Sequence, residues 1–161
     1  MIVIVMGVVG AGKTTVGKLL ASQLGWEFAD ADDFHPQSNV EKIRQGIALS
    51  DEDREPWLDH LREAILRWLA EGKSVVLACS ALKCAYRAKL LLGPQIRFVY
   101  LKGSAALIAD RLRSRHGHFA GESILASQLA DLEEPEKAIM VDISDTPEQI
   151  VAEIKRALAM E

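Results

Sequence analysis

Two short clusters in this chain hold residues whose types and spacing suit chemistry. The first is "GVVGAGKTT", residues 7 to 15, which satisfies G-x-x-x-x-G-K-[ST]. Gly7, Gly10 and Gly12 permit a loop whose backbone N–H groups turn inward onto phosphate oxygens, helped by the positive end of a following helix. Val8, Val9 and Ala11 contribute mainly backbone, and Lys13 has the reach to meet the β and γ phosphates of a nucleotide. Thr14 offers its hydroxyl to Mg²⁺, and Thr15 completes the set of nucleotide-binding positions.

The second cluster is "DADDFHP", residues 30 to 36. Like charges this close raise one another's pKa, so Asp30, Asp32 and Asp33 ask for a cation or a proton-transfer task. Asp30 and Asp32 stand two apart, and on a strand that continues through them both face the same cleft while Asp33 points elsewhere. An acid beside a phosphate loop can take the proton of an acceptor hydroxyl, and a second can support Mg²⁺. The alternative is a solvated acidic turn in which an aspartate serves as a cap.

Phosphoryl transfer also needs positive charge where negative charge spreads in the transition state. Arg111 and Arg115, in "LIADRLRSRHGHF", share a helix face one turn apart, and the glycine-containing stretch that follows predicts a lid at about 112–124. Arg113 points away from them, and a solvated basic face is the alternative reading. For an acidic acceptor the available cations are Arg54, before "EPW", and Lys83 and Arg87, which open the segment after "CSAL"; the last two are equally well read as surface charge.

The elements that must position these groups alternate. "IVIVM" (2–6) is a β-branched apolar run expected of a strand buried on both faces, ending at Gly7. A helix follows, with Val16, Leu19, Leu20 and Leu24 on its apolar face and Gly25 as its C-terminal cap. "EFAD" (27–30) predicts a second strand that delivers the acids. Residues 37–49 read as a short helix and a connection. Ser50 with Asp53 then suggests a capping box, although Pro56 is comfortable only in a first helical turn and leaves the start open. Trp57, Leu58, Leu61, Ile65, Trp68 and Leu69 trace an apolar stripe up to Gly72. Strands are expected at 74–79, 96–101 and 138–143, and a last helix after Thr146, Pro147 and Gln149. Alternating βα units predict an α/β fold: one domain over 1–161 with a parallel five-stranded sheet, helices on both faces, and ligands at the strands' C-terminal ends.

Bulk properties narrow the function. At 161 residues with 49% hydrophobic and 26% charged residues, the chain can bury a core of its own. A net charge of −4 argues against a nucleic-acid surface. Its apolar runs are too short to span a bilayer, and no signal peptide is readable, so a cytoplasmic protein is expected. Cys79 and Cys84 lack redox or zinc spacing, and "HGH" (116–118) lacks the partners of a metal site. An N-K-x-D base-reading motif is absent from the sequence, which disfavours a GTPase.

Taken in order, "GVVGAGKT", "DADDFHP", "LSDEDREPWL", "CSALK", "YLKG" and "RSRHGHF" resemble the gluconokinases, small P-loop kinases with a core like that of shikimate and nucleoside monophosphate kinases. The resemblance runs from Gly7 to about Pro135. It implies a P-loop NTPase fold and ATP- and Mg²⁺-dependent phosphorylation of D-gluconate at its 6-hydroxyl. By the same resemblance Asp32 is the acceptor-binding acid and candidate base, and Asp30 supports Mg²⁺ through water. His35, Arg54, Ser80 and Lys83 lie on the acceptor side, Arg111 flanks adenine, and Arg115 reaches from the lid toward the phosphates. A homodimer is also implied. The loop departs from the common G-x-S-G-[SC]-G-K-S at Val9, Ala11 and Thr14, and Cys84 stands where a basic residue is frequent. Rival readings are a kinase for another small hydroxy acid or polyol, such as shikimate, and a nucleotide-responsive regulatory protein without phosphoryl transfer.

Overall fold

The computed structural model describes residues 1–116 and 120–159, with side chains described outside 115–123. Five parallel strands form one sheet in the order β2-β3-β1-β4-β5: β1 (Ile2–Met6), β2 (Glu27–Asp30), β3 (Val75–Ala78), β4 (Ile96–Lys102) and β5 (Ile139–Asp142). The central strand β1 pairs Ile2 with Val75 of β3 and with Ile96 of β4. Its five residues are all buried, because alternate side chains enter different cores. Val3 and Val5 join one core with Val16, Leu20, Ile108, Leu112, Val151 and Ile154, from α1 (Lys13–Leu24), α5 (Ala105–His116) and α7 (Pro147–Ala159). Ile2, Ile4 and Met6 join the other, with Trp57, Leu61, Ile65, Trp68, Tyr86 and Leu90 from α3 (Asp51–Ala70) and α4 (Cys84–Leu90). Two further helices, α2 (Gln37–Arg44) and α6 (Ala120–Asp131), complete the chain.

Local signals hold where the chemistry is local. Gly25 caps α1 in the left-handed region, its N–H donating to Ala21 and Ser22 carbonyls. Thr146 and Gln149 exchange backbone-to-side-chain hydrogen bonds at the start of α7. The open question at Ser50 resolves as a full capping box: Asp53 N–H donates to Ser50 Oγ at 3.1 Å, and Ser50 N–H donates to Asp53 Oδ2 at 2.9 Å. Pro56 therefore lies in the second turn of α3.

The second strand is Glu27–Asp30, as expected, but it does not continue through Asp32: Ala31–Phe34 form a 3₁₀ turn. Asp30 causes the stop: its Oδ1 accepts the Asp32 N–H at 2.9 Å and closes the turn as a cap. Asp30 and Asp32 are thus juxtaposed by a turn, not by the pleat of a strand. Among the described residues no helix is long and apolar enough to cross a membrane.

Candidate active site

β1 ends at the sheet's centre, and the chain there wraps residues 7–12 into a loop before α1 begins at Lys13. No side chain caps α1, which leaves its first amides available to an anion. Gly10 has φ +80°, and a Cβ there would come within 2.9 Å of Leu112 Cγ and 3.1 Å of Ile108 Cγ2. Only glycine allows α5 to press against the outside of this loop. Gly12, with φ +97°, is the left-handed residue that turns the chain into α1. Gly7 N–H faces the Ser80 carbonyl at 3.4 Å, so Ser80 sits at the neighbouring strand end beside the loop.

Lys13 Nζ donates to the Val8 carbonyl at 3.1 Å, inside the loop. Burial lowers its pKa, while the nearby Asp32 and Asp30 carboxylates pull it back up. Asp32 shows the converse. Burial raises its pKa first, Asp30 raises it further, and Lys13 opposes both. The residue is nevertheless exposed at the surface. The sequence-derived trio of Lys13, Asp30 and Asp32 is therefore one electrostatic unit.

Arg54 and Lys83 are brought together around Tyr86. Arg54 Nη1 donates to the Tyr86 hydroxyl at 2.8 Å, and that hydroxyl donates to Asp51 Oδ1. Lys83 Nζ meets the same Asp51 oxygen at 3.0 Å. The Tyr86 and Lys83 hydrogen bonds hold the Asp51 carboxyl below the usual range. Both cations also lie over the Tyr86 ring, at 5.4 Å for Arg54 and 5.7 Å for Lys83. Asp131 of α6 is 3.8 Å from Arg54.

His35 stacks on Trp57 with ring centroids 4.7 Å apart and planes at 11°. Trp57 Nε1 donates to the Ala31 carbonyl at 2.7 Å, tying α3 to the turn that carries Asp32. Burial and the Arg54 charge push the His35 pKa down to about 4.

Arg87 departs from the surface reading. It is buried, and donates to the carbonyls of Ala81 at 2.7 Å, Leu82 at 3.1 Å and Glu133 at 2.6 Å. Ala81 needs that support, since it is fully buried with φ +45°, a left-handed conformation that costs an L-residue about 1 to 2 kcal/mol. Cys79 is buried and its thiol is pushed up to about 12, whereas Cys84 is exposed; both are free thiols.

On the other side of the loop lies a cavity of about 680 Å³ lined by Gly10, Gly12, Thr15, Arg111, Asp145 and Pro147. Arg111 is fixed there by donating to the Ile143 carbonyl. A second cavity, about 850 Å³ between α4, β4 and β5, includes Arg87 in its wall but none of the groups gathered at the phosphate loop. Residues 117–119 and the side chains of 115–123, Arg115 and His116 among them, fall outside the described residues, whereas the backbone of the expected lid at 112–116 belongs to α5 and at 120–124 to α6. Arg113 pairs with Asp110 at 3.3 Å.

Four contributors were given no role by the sequence. Gln128 of α6 accepts the Val9 N–H at 2.6 Å across 119 residues. Tyr86 and Asp51 link Arg54 with Lys83, and Asn39 is a buried amide on α2. Gln128, Tyr86 and Asn39 belong to no recognisable local motif, and Asp51, although inside L-S-D-E-D-R-E-P-W-L, gains its partners only through the fold.

For a divalent cation the available donors are the Thr14 hydroxyl and the Asp30 carboxylate. Among the described residues no group of three or more His, Cys, Asp or Glu side chains could hold a metal. Such a sparse set of hard oxygen donors fits Mg²⁺ carried in with nucleotide phosphates and does not fit a dedicated protein cage.

The sequence profile described as shikimate kinase matches residues 9–159. A probable gluconokinase of Xenopus tropicalis is 45% identical over 174 aligned residues, covering 96% of this chain and 92% of the relative. The gluconokinase of Arabidopsis thaliana is 43% identical, covering 98% and 92%. Among solved structures, a gluconokinase from Sinorhizobium meliloti superposes with a TM-score of 0.87 at 40% identity, covering 98% of this chain and 91% of that one.

Proposed function

The chain belongs to the shikimate kinase family and, within it, to the gluconokinases; from that premise we propose that it transfers the terminal phosphoryl group of ATP to the 6-hydroxyl of D-gluconate. The observation that carries the reading is the placement of Asp32 beside Lys13 at the phosphate loop, with the Arg54–Tyr86–Lys83 group on the acceptor side. An acid poised for a hydroxyl and cations suited to a carboxylate are what a hydroxy-acid kinase needs.

Gly7 to Thr15 and the open start of α1 hold the phosphates of ATP, and the cavity beside Arg111 receives the adenosine. Arg54 and Lys83 bind the gluconate carboxylate end, in place of their present contacts to Asp131 and Asp51. His35 and Ser80 meet the acceptor hydroxyls. Asp32 accepts the proton of the 6-hydroxyl as that oxygen bonds to the γ-phosphorus. The bond between that phosphorus and the β,γ-bridging oxygen breaks, ADP leaves, and 6-phospho-D-gluconate forms. Lys13 stays with the transferring group and offsets its charge, joined by Arg115. Thr14, through its hydroxyl, and Asp30, through water, would hold Mg²⁺, which when bound would add charge neutralisation on the phosphates. A lid at about 112–124, a homodimer and a cytoplasmic setting complete the reading.

A coupled ADP-release assay with gluconate, shikimate, glycerate and nucleoside monophosphates tests it. Turnover should depend on gluconate and on Mg²⁺. Failure of gluconate to support ADP release would overturn the proposal, and preference for another acceptor would reassign the substrate.

A further inference from the structure

We propose that Asn39 is a positioning residue for the acceptor side of the site: by donating to Nδ1 of His35 it fixes the imidazole as its Nε2–H tautomer, so that this ring can donate to the acceptor and cannot accept from it. The proposal rests on the gluconokinase reading for the identity of the acceptor, and on local geometry for everything else.

Asn39 is 2% exposed, and a buried carboxamide must have partners that match its polarity. Its Nδ2 lies 2.7 Å from the Asp53 carbonyl, an atom that can only accept. That contact assigns Nδ2 as the amide nitrogen. The same nitrogen lies 3.2 Å from His35 Nδ1 and carries a second hydrogen to give. Nδ1 must then be the bare, accepting nitrogen, and the proton of the neutral ring is left on Nε2. Stacking on Trp57 fixes the ring plane, and Trp57 is itself held by the Ala31 carbonyl. Orientation and tautomer are thus set from different elements, the first by α3 and the second by α2. Among the described residues nothing accepts from Nε2.

The ring has to stay neutral for this to operate. Asp32 and Asp33 lie on its own turn, and Arg54 and Asp53 belong to α3, which packs over it. Asp53 is occupied by Lys42 of α2 at 2.8 Å and by Ser50, and its pKa is held at about 2, so it remains an anion committed elsewhere. Arg54 disfavours a second positive charge beside it. A donor-only histidine pairs with the lone pairs of a hydroxyl or carboxylate oxygen, which a polyhydroxy acid presents and a protonated amine does not.

Long-range ¹H–¹⁵N spectra of the wild-type protein without substrate decide the tautomer directly. Nε2 should show the protonated-nitrogen signature and Nδ1 the bare one, unchanged between pH 7 and pH 5.5. A protonated Nδ1 in that spectrum would overturn the proposal, whether or not any variant folds. Asn39→Asp replaces the donor with a charged acceptor, and should move the proton to Nδ1 and raise the His35 pKa. The gluconate KM should rise about fivefold to tenfold, with the ATP KM unchanged, and a pH dependence should enter between about pH 5 and 8. Asn39→Ala should raise the gluconate KM without that pH dependence. Equal losses for both substrates in the two variants, tracking a loss of folded protein, would make Asn39 merely structural and defeat the proposal. Lack of gluconate turnover by the wild type would instead strike the functional reading alone, since the tautomer is read without substrate.

Discussion

Replacing Asp32 by asparagine keeps the shape of the side chain and removes the charge that is to accept the acceptor's proton. The turn itself should survive, because the bond that closes it uses the backbone N–H of residue 32 and the side chain of Asp30. General base catalysis of this kind contributes about 10²- to 10⁴-fold, so kcat should fall by that factor, equivalent to roughly 3 to 5 kcal/mol of barrier. Stability should move the other way or not at all. The folded-state pKa of Asp32 is raised by burial and by Asp30, so its ionisation costs the folded state stability as pH rises from the ordinary carboxylate value through the folded one. At neutral pH the uncharged amide of the Asp32→Asn variant escapes that repulsion, and Tm should be equal to or above that of the wild type. For the wild type the same sign places the acidic limb of kcat/KM above the ordinary carboxylate pKa, with activity lost as Asp32 protonates. Steady-state kinetics of Asp32→Asn, with ATP affinity by calorimetry and Tm by scanning fluorimetry, give the three readouts. Wild-type turnover in the variant, or a loss of kcat matched by a comparable loss of ATP binding and Tm, would refute the base role.

Arg54→Ala should raise the gluconate KM about 10- to 100-fold, the range for a charge-assisted bond, and leave the ATP KM within about twofold; steady-state titration of each substrate separates the two. Gln128→Ala removes the acceptor of the Val9 N–H. Loss of one neutral hydrogen bond should raise the ATP KM about twofold to tenfold with gluconate unaffected, and a selective gluconate defect would contradict its place at the phosphate loop. Thiol titration of the native protein should modify Cys84 alone, since Cys79 is buried and its thiolate is strongly disfavoured. Two rapidly reacting thiols, resolved by mass spectrometry, would contradict that burial.

What the sequence reveals and what it hides divide along the range of the interactions. The phosphate loop, the α1 cap at Gly25 and the Thr146–Gln149 box are each complete within a few residues, and their spacing alone reads correctly. β1 is legible for a different reason, since a run buried on both faces leaves no room for a polar residue. Asp30 and Asp32 stand at the edge of legibility. Their proximity is apparent, but the strand alternation that should explain it gives way to a 3₁₀ turn, because a carboxylate two residues before a free N–H competes with the pleat. Pro56 misleads through a positional rule that its context relaxes. Arg87 is invisible as a brace, because its three carbonyl partners belong to loops whose meeting only the tertiary fold arranges. Gln128 and Asn39 carry no pattern that marks them, and their partners come from other elements.

The central place of β1 in the sheet has a consequence for how the chain is made. Ile2 has no strand to pair with until Val75 and then Ile96 have been synthesised, about seventy and ninety residues later. At ribosomal speeds of about 5 to 20 residues per second, a wholly apolar strand waits roughly 4 to 15 s for its first neighbour. The phosphate loop waits longer, because Gln128, which accepts from its Val9 amide, follows later still. Nascent chains stalled before β3 should therefore expose a sticky segment to chaperones, and nucleotide should rescue only chains extended past α6.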